Sequence, residues 1–194
     1  MGKMTSLLVY DMPAHSNEIY ISVDIETAGP NPSEYSLLSI GACTVFDPVE
    51  SFYVELQPVH EAFSQEALQI SGLSMEELRE HGTPPQQAME EFADWLKRIT
   101  PEGCKPIFVA FNAPFDWMFI NDYFHRYLGH NPFGHSAIDM KAFYMGWRGV
   151  PWRETGMDAV SEHLTGKRTL SHHALQDARD QAELFRKMLE RTKS

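Results

Sequence analysis

The sequence predicts a mixed α/β fold: a three-strand antiparallel meander continued by parallel strands, with helices flanking the sheet. Three observations carry this expectation. Ile19 to Thr27 alternates with a period of two. Two further apolar stretches follow it through short turns. Beyond residue 83, a strand-like run alternates with segments of helical periodicity.

Ile19, Ile21, Val23 and Ile25 fall on one face of the first strand, and Tyr20, Ser22, Asp24 and Glu26 on the other. Thr27-Ala28-Gly29-Pro30-Asn31-Pro32 is a turn by composition. Leu37 to Phe46 reads as a second strand and Ser51 to Leu56 as a third, joined through Asp47-Pro48. Connections this short make neighbouring strands antiparallel. Mixed polar and apolar residues from Glu61 to Glu80 predict two short helices around Gly72. Thr83-Pro84 reads as an N-cap followed by proline at the first helical position. The helix beyond carries Ala88, Phe92, Trp95, Leu96 and Ile99 on one stripe, and Pro101 and Gly103 end it.

Ile107 to Phe111 is a continuous apolar run, as expected of a strand covered on both faces. Asn112-Ala113-Pro114 opens a helix to about Leu128, Asn131-Pro132 breaks the chain, and Ala137 to Asp139 is a short strand. A last helix, about His173 to Arg191, has Leu175, Ala178, Ala182, Phe185 and Leu189 as its buried stripe.

A chain of 194 residues, 43% hydrophobic and 12% aromatic, fits one globular domain with its core over about 19–189. No apolar run reaches membrane-spanning length. Ser6 to Tyr10 is apolar but broken by Asp11, too short for a secretory leader. Cys43 and Cys104 form no metal-spaced cluster and need no bridge, so a reducing, cytoplasmic setting is expected. The net charge of −11 argues against a protein that coats long nucleic acid by neutralising phosphates. The charge is uneven: residues 1–96 hold 2 basic and 16 acidic side chains, residues 97–194 hold 14 and 11. A polyanionic substrate is therefore expected to lie over the C-terminal half.

Asp24 and Glu26 put two carboxylates side by side on one strand face. Adjacent anions need a proton or a cation between them, and a divalent metal with oxygen ligands answers that need. Alone, an Asp-x-Glu pair is more often a strand face that meets water. Two further motifs raise its weight. Asn112-Ala113-Pro114-Phe115-Asp116 stands where a buried strand turns into a helix, and His172-His173-Ala174-Leu175-Gln176-Asp177 where the last helix begins. Asp116 lies 92 residues after Asp24, and Asp177 lies 61 after Asp116. Each has a bland reading, as a helix-start acid answering the dipole or a cap. Their joint occurrence at strand and helix ends does not.

These motifs resemble the DEDDh branch of the DnaQ-like 3′–5′ exonucleases, which includes ribonuclease T and the epsilon proofreading subunit. The resemblance covers about Ile19 to Leu189. Asp24-Ile-Glu-Thr-Ala-Gly and Asn131-Pro-Phe are most similar to ribonuclease T, whereas Phe111-Asn-Ala-Pro-Phe-Asp resembles the proofreading domains equally well. Pro30 stands where ribonuclease T has a base-stacking Phe, and Ser71 where proofreading enzymes commonly have His.

The resemblance implies a ribonuclease H-like sheet and a hydrolase releasing 5′-mononucleotides from single-stranded DNA or RNA 3′ ends or short oligonucleotides. It implies two divalent cations, Mg²⁺ or Mn²⁺, with Asp24 bridging both, Glu26 and Asp177 completing the first site, and Asp116 holding the second. Two cations ~3.5–4 Å apart stabilise the attacking and leaving oxygens together. His172, five residues before Asp177, would be the general base, with His173 as its rival and Asp180 as a weaker rival ligand. Thr27 and Ala28 after the first motif, and Asn112 and Phe115 in the second, would line the 3′-terminal nucleotide. A homodimer of the ribonuclease T kind, or a subunit beside a polymerase, is implied as the assembly.

Lys141 to Arg153 interleaves aromatic and basic residues, as single-strand binding requires. Phe143, Tyr144 and Trp147 read as helix core. Trp152, beyond Gly149 and Pro151, is the stacking candidate, and Lys167-Arg168 before His172 the phosphate contact. A non-catalytic nucleic-acid-binding module and a hydrolase of free nucleotides are the competing functions. All five motif residues are present, which disfavours the first.

Overall fold

The computed structural model describes residues 17–166 and 172–192, and in it the alternating first strand is the middle of a five-stranded sheet. The strands are β1 (Glu18–Thr27), β2 (Leu37–Thr44), β3 (Ser51–Glu55), β4 (Lys105–Ala110) and β5 (Ala137–Asp139). Their order is β3-β2-β1-β4-β5. The β1–β2 and β2–β3 pairs are antiparallel, and β1–β4 and β4–β5 are parallel, which is the mixed sheet read from the sequence.

Helices cover both faces. The helices are α1 (Gln65–Ser71), α2 (Met75–His81), α3 (Pro85–Ile99), α4 (Ala113–Leu128), α5 (Met140–Arg148), α6 (Met157–Thr165) and α7 (Ala174–Arg191). Ile19, Ile21, Val23 and Ile25 pack with Phe92 and Trp95 of α3 and Phe119 and Phe124 of α4. On the opposite face, Cys43, Val45 and Val109 pack with Tyr144 of α5, Val160 of α6, and Phe185 and Met188 of α7. The polar face of β1 is thus not a solvent face. Ser22 is fully buried, and the Tyr20 ring lies 5.7 Å from that of Phe185. Among the described residues no helix is long and apolar enough to cross a membrane.

The structure corrects three expectations. Thr83 is not the cap of α3: its N–H donates to Glu55 and its carbonyl accepts from Gln57, so its backbone extends the end of β3, and the helix starts at Pro85. The buried stripe of α7 is rotated from the expected one. Leu175 and Leu189 are half-buried, while Ala174, Asp177, Ala178, Gln181, Ala182, Phe185 and Met188 face inward. Polar residues belong to that stripe because the helix covers the carboxylate face of β1. Of the three aromatic residues read as core in α5, Tyr144 is buried, and Phe143 and Trp147 are half-buried. Helix α6 lies outside the elements read from the sequence, and it rests on α7 with Val160 and Leu164 inward.

Candidate active site

Three pieces of backbone logic bring distant carboxylates to one place. On β1, Asp24 and Glu26 share the face turned toward α7. Parallel pairing of β1 with β4 puts the C-terminal ends of both strands at the same edge of the sheet. There Asn112, at φ 65 in the left-handed region that Asn tolerates, turns the chain from β4 into α4 and places Asp116 in its first turn. On the other side, Asp24 pairs in register with Gly41 of β2. A Cβ on Gly41 would stand 2.2 Å from the backbone of Ala174 and Leu175. The missing side chain lets the first turn of α7 rest on β2, and that turn carries Asp177.

Asp24, Glu26 and Asp177 each present a ligand oxygen, all within 4.8 Å of one another. Asp116 is 5% exposed, and its negative charge acts on Asp24. Burial, then the charges of Asp116, Glu26 and Asp177, push the Asp24 carboxyl well above its ordinary range. Burial and Asp177 push Glu26 up to about 7. Burial raises Asp116 too, although hydrogen bonds from its own backbone and that of Ile25 oppose the shift. Carboxylates gathered this closely, three of them with their charged forms disfavoured, call for a cation, and oxygen donors suit a hard divalent ion.

Residues 21–185 match the RNase T family of exonucleases. The chain belongs to this family. It is 47% identical over 169 residues to the 3′–5′ DNA exonuclease Cap18 of Escherichia coli, covering 87% of this chain and 90% of that protein. It is 28% identical over 188 residues to a PolC-type DNA polymerase III of Thermotoga petrophila, covering 96% of this chain but 13% of the polymerase. Its fold is similar to the nuclease domain of 3′hExo, a DEDDh family member bound to rAMP. That likeness has a TM-score of 0.74 at 17% identity, and covers 93% of this chain and 95% of that one. The sheet is therefore an RNase H-like exonuclease fold, and the protein is a 3′–5′ exonuclease.

In this exonuclease the two histidines before α7 have different surroundings. His172 is exposed, at φ 52. His173 occupies the N-cap position of α7, and its ring stacks on Tyr53 of β3 at 4.8 Å and 21°. Asp180 is half-buried, and its Oδ1 accepts a hydrogen bond from Gln176.

The remaining expected contacts have diverse surroundings. Thr27 is buried with its hydroxyl donating to the Gly29 carbonyl. The Ala28 methyl is fully buried with Leu38, Met75 and Leu78. Asn112 is exposed, and Phe115 is half-buried with its ring 5.6 Å from that of Phe119. Trp152 is 50% exposed in a 3-10 turn (Trp152–Glu154), with the Lys141 ammonium 4.4 Å from its ring centre. Lys167 and Arg168 lie outside the described residues.

Sequence reasoning missed two polar residues at the site. Asp139 caps α5 by accepting from Ala142 N–H at 2.6 Å, and its other oxygen accepts from Ala113 N–H at 2.7 Å, tying the starts of α5 and α4 together. An Asp between a strand and a helix is a capping signal that could have found it. Gln181 donates to Asp24 Oδ1 at 2.6 Å and accepts from Phe111 N–H at 2.8 Å. Its spacing of one helical turn from Asp177 was the available signal.

Proposed function

We propose that this exonuclease hydrolyses the terminal phosphodiester of single-stranded DNA 3′ ends, releasing 5′-mononucleotides, with two divalent cations and His172 as general base. The observation that carries the reading is the Asp24, Glu26 and Asp177 oxygens gathered within 4.8 Å, with buried Asp116 acting on Asp24. This donor set fits Mg²⁺ or Mn²⁺: all ligands are oxygens, and all are anions whose proximity is unfavourable without positive charge. Asp24, Glu26 and Asp177 would hold one cation, and Asp24 with Asp116 the second. When bound, such ions supply stabilisation of the attacking and leaving oxygens of the phosphodiester.

His172 takes the proton of the attacking water on a ring nitrogen, a role suited to an exposed imidazole five residues before Asp177. Asn112 and Phe115 would line the side of the terminal nucleotide, and Thr27 and Ala28, both buried, would support its floor from beneath without touching it. Trp152, with Lys141 against its ring, offers a stacking surface for an upstream base. Lys167 and Arg168 serve an upstream phosphate. Replacing both with Ala would raise KM and flatten its salt dependence, and an unchanged salt slope removes them from the substrate path.

DNA is favoured over RNA by the 47% identity to a DNA exonuclease. The likeness to the PolC-type polymerases supports a second reading, in which the chain acts beside a polymerase; there it matches 13% of a much longer protein. A homodimer is the other assembly proposed, and sedimentation of the pure chain distinguishes it from a monomer. The functional test is digestion of matched 5′-labelled DNA and RNA oligonucleotides with Mg²⁺ or Mn²⁺. Successive shortening of the DNA from its 3′ end is expected. Faster loss of RNA would overturn the substrate, and internal cuts or no cleavage the activity.

A further inference from the structure

We infer that Gln181 is the positioning residue of the metal centre: its side-chain amide holds the Asp24 carboxylate in place and fixes it to the end of β4. The inference rests on the metal-dependent reading above and deepens it.

Gln181 is 2% exposed, so its amide must be satisfied by protein. Its two ends have different partners. The Phe111 N–H can only donate, and at 2.8 Å it claims the amide oxygen. That fixes which end of the amide is which and turns the NH₂ toward Asp24, an acceptor, at 2.6 Å. One side chain of α7 thus joins β1, where the central carboxylate stands, to the residue that follows β4. Phe111 directly precedes the Asn112 turn into α4, the helix that carries Asp116. The amide therefore links three of the segments that build the site.

The bond has an electrostatic consequence. Burial and three neighbouring carboxylates oppose the charged form of Asp24, and the Gln181 hydrogen bond favours it. A ligand carboxylate held by a fixed donor keeps one orientation, with the remaining acceptor capacity turned to a cation. Partners of this kind are worth ~10–100-fold in metal affinity or activity when removed. Gln181 touches no reacting atom, so its effect passes through Asp24.

The choice of glutamine follows from the same geometry. Glutamate would accept from Phe111 N–H equally well but would present an oxygen to Asp24 at a distance suited to a donor. Leucine would fill much of the volume and leave both Asp24 and Phe111 N–H unpaired.

The test measures Mn²⁺ binding by the loss of free-Mn²⁺ electron paramagnetic resonance signal for wild type, Gln181→Leu and Gln181→Met. Circular dichroism checks folding, and kcat and KM are measured on a single-stranded DNA oligonucleotide. Mn²⁺ affinity is expected to fall ~10–100-fold in folded Gln181→Leu, with kcat reduced and KM little changed. Gln181→Met keeps the length of the side chain without a donor or an added charge and should show the same loss, which guards against a fold defect in the leucine variant. Wild-type Mn²⁺ affinity in either folded variant overturns the inference while leaving the metal-dependent reading intact. Lowered thermal stability with unchanged Mn²⁺ affinity also overturns it, since a purely structural role would give that result. Absence of Mn²⁺ binding by wild type would overturn both.

Discussion

Gly41 of β2 and Ala174 of α7 meet backbone to backbone: a Cβ built on Gly41 would lie 2.2 Å from the Ala174 carbonyl carbon. Gly41 is also the register partner of Asp24. The approach that brings Asp177 to the central carboxylate is therefore set by an absent side chain on the neighbouring strand. Gly41→Ala must lift the first turn of α7 from the sheet. Overpacking of this kind costs about 1–3 kcal/mol, so a fall of several degrees in Tm is expected. Mn²⁺ affinity should fall with it, because the displaced turn carries Asp177, one of the proposed ligands. Wild-type Tm and Mn²⁺ affinity in this variant would mean that the helix does not depend on the contact.

The two histidines separate by role. His172→Ala should lower kcat roughly 10²–10⁴-fold, the usual worth of a positioned general base. His173→Ala should act mainly on stability, since its ring stacks on Tyr53. Kinetics and melting curves of the two variants test this. A larger kcat loss at His173 would reverse the assignment.

The acidic cluster predicts the pH dependence of the metal-free protein. Glu26 is pushed from its ordinary 4.5 up to about 7, and Asp24 is raised as well. Between those values the folded protein holds protons that the unfolded chain has released. Its contribution to stability is complete below about 4.5 and is lost as pH rises through about 7. In chelator, Tm should therefore fall across this window, and Glu26→Gln should flatten the fall. Mn²⁺ should raise Tm most at the upper end, where the carboxylates are charged. A Tm in chelator that rises with pH, with the same slope in Glu26→Gln, would contradict this account.

Much of this was legible in the sequence because it rests on local patterns. The period of two along Ile19 to Thr27 correctly separates the core face from the Asp24 and Glu26 face. Short connections correctly give the antiparallel meander. Asp116 and Asp177 were recognisable from motif spacing rather than from any property of the residues alone. What escaped depends on long-range contact. The sequence around Gly41 does not say that a helix from residue 174 will rest on it. Gln181 lies on a helix face that apolar periodicity placed slightly off, because the stripe that α7 buries includes the polar residues facing the carboxylates. Thr83 looks like a cap until β3 is seen to take its backbone hydrogen bonds.

The central claim is that carboxylate-held divalent metal drives 3′-end hydrolysis, and Asp24→Asn tests it most directly. The change keeps the shape of the residue while removing one charge from the middle of the cluster. Single-turnover cleavage of a 5′-labelled single-stranded DNA in Mg²⁺ should be abolished. Circular dichroism should remain that of the wild type, and Tm in chelator at neutral pH should rise, since a buried repulsion has been relieved. Near-normal cleavage by the folded Asp24→Asn protein would contradict the account.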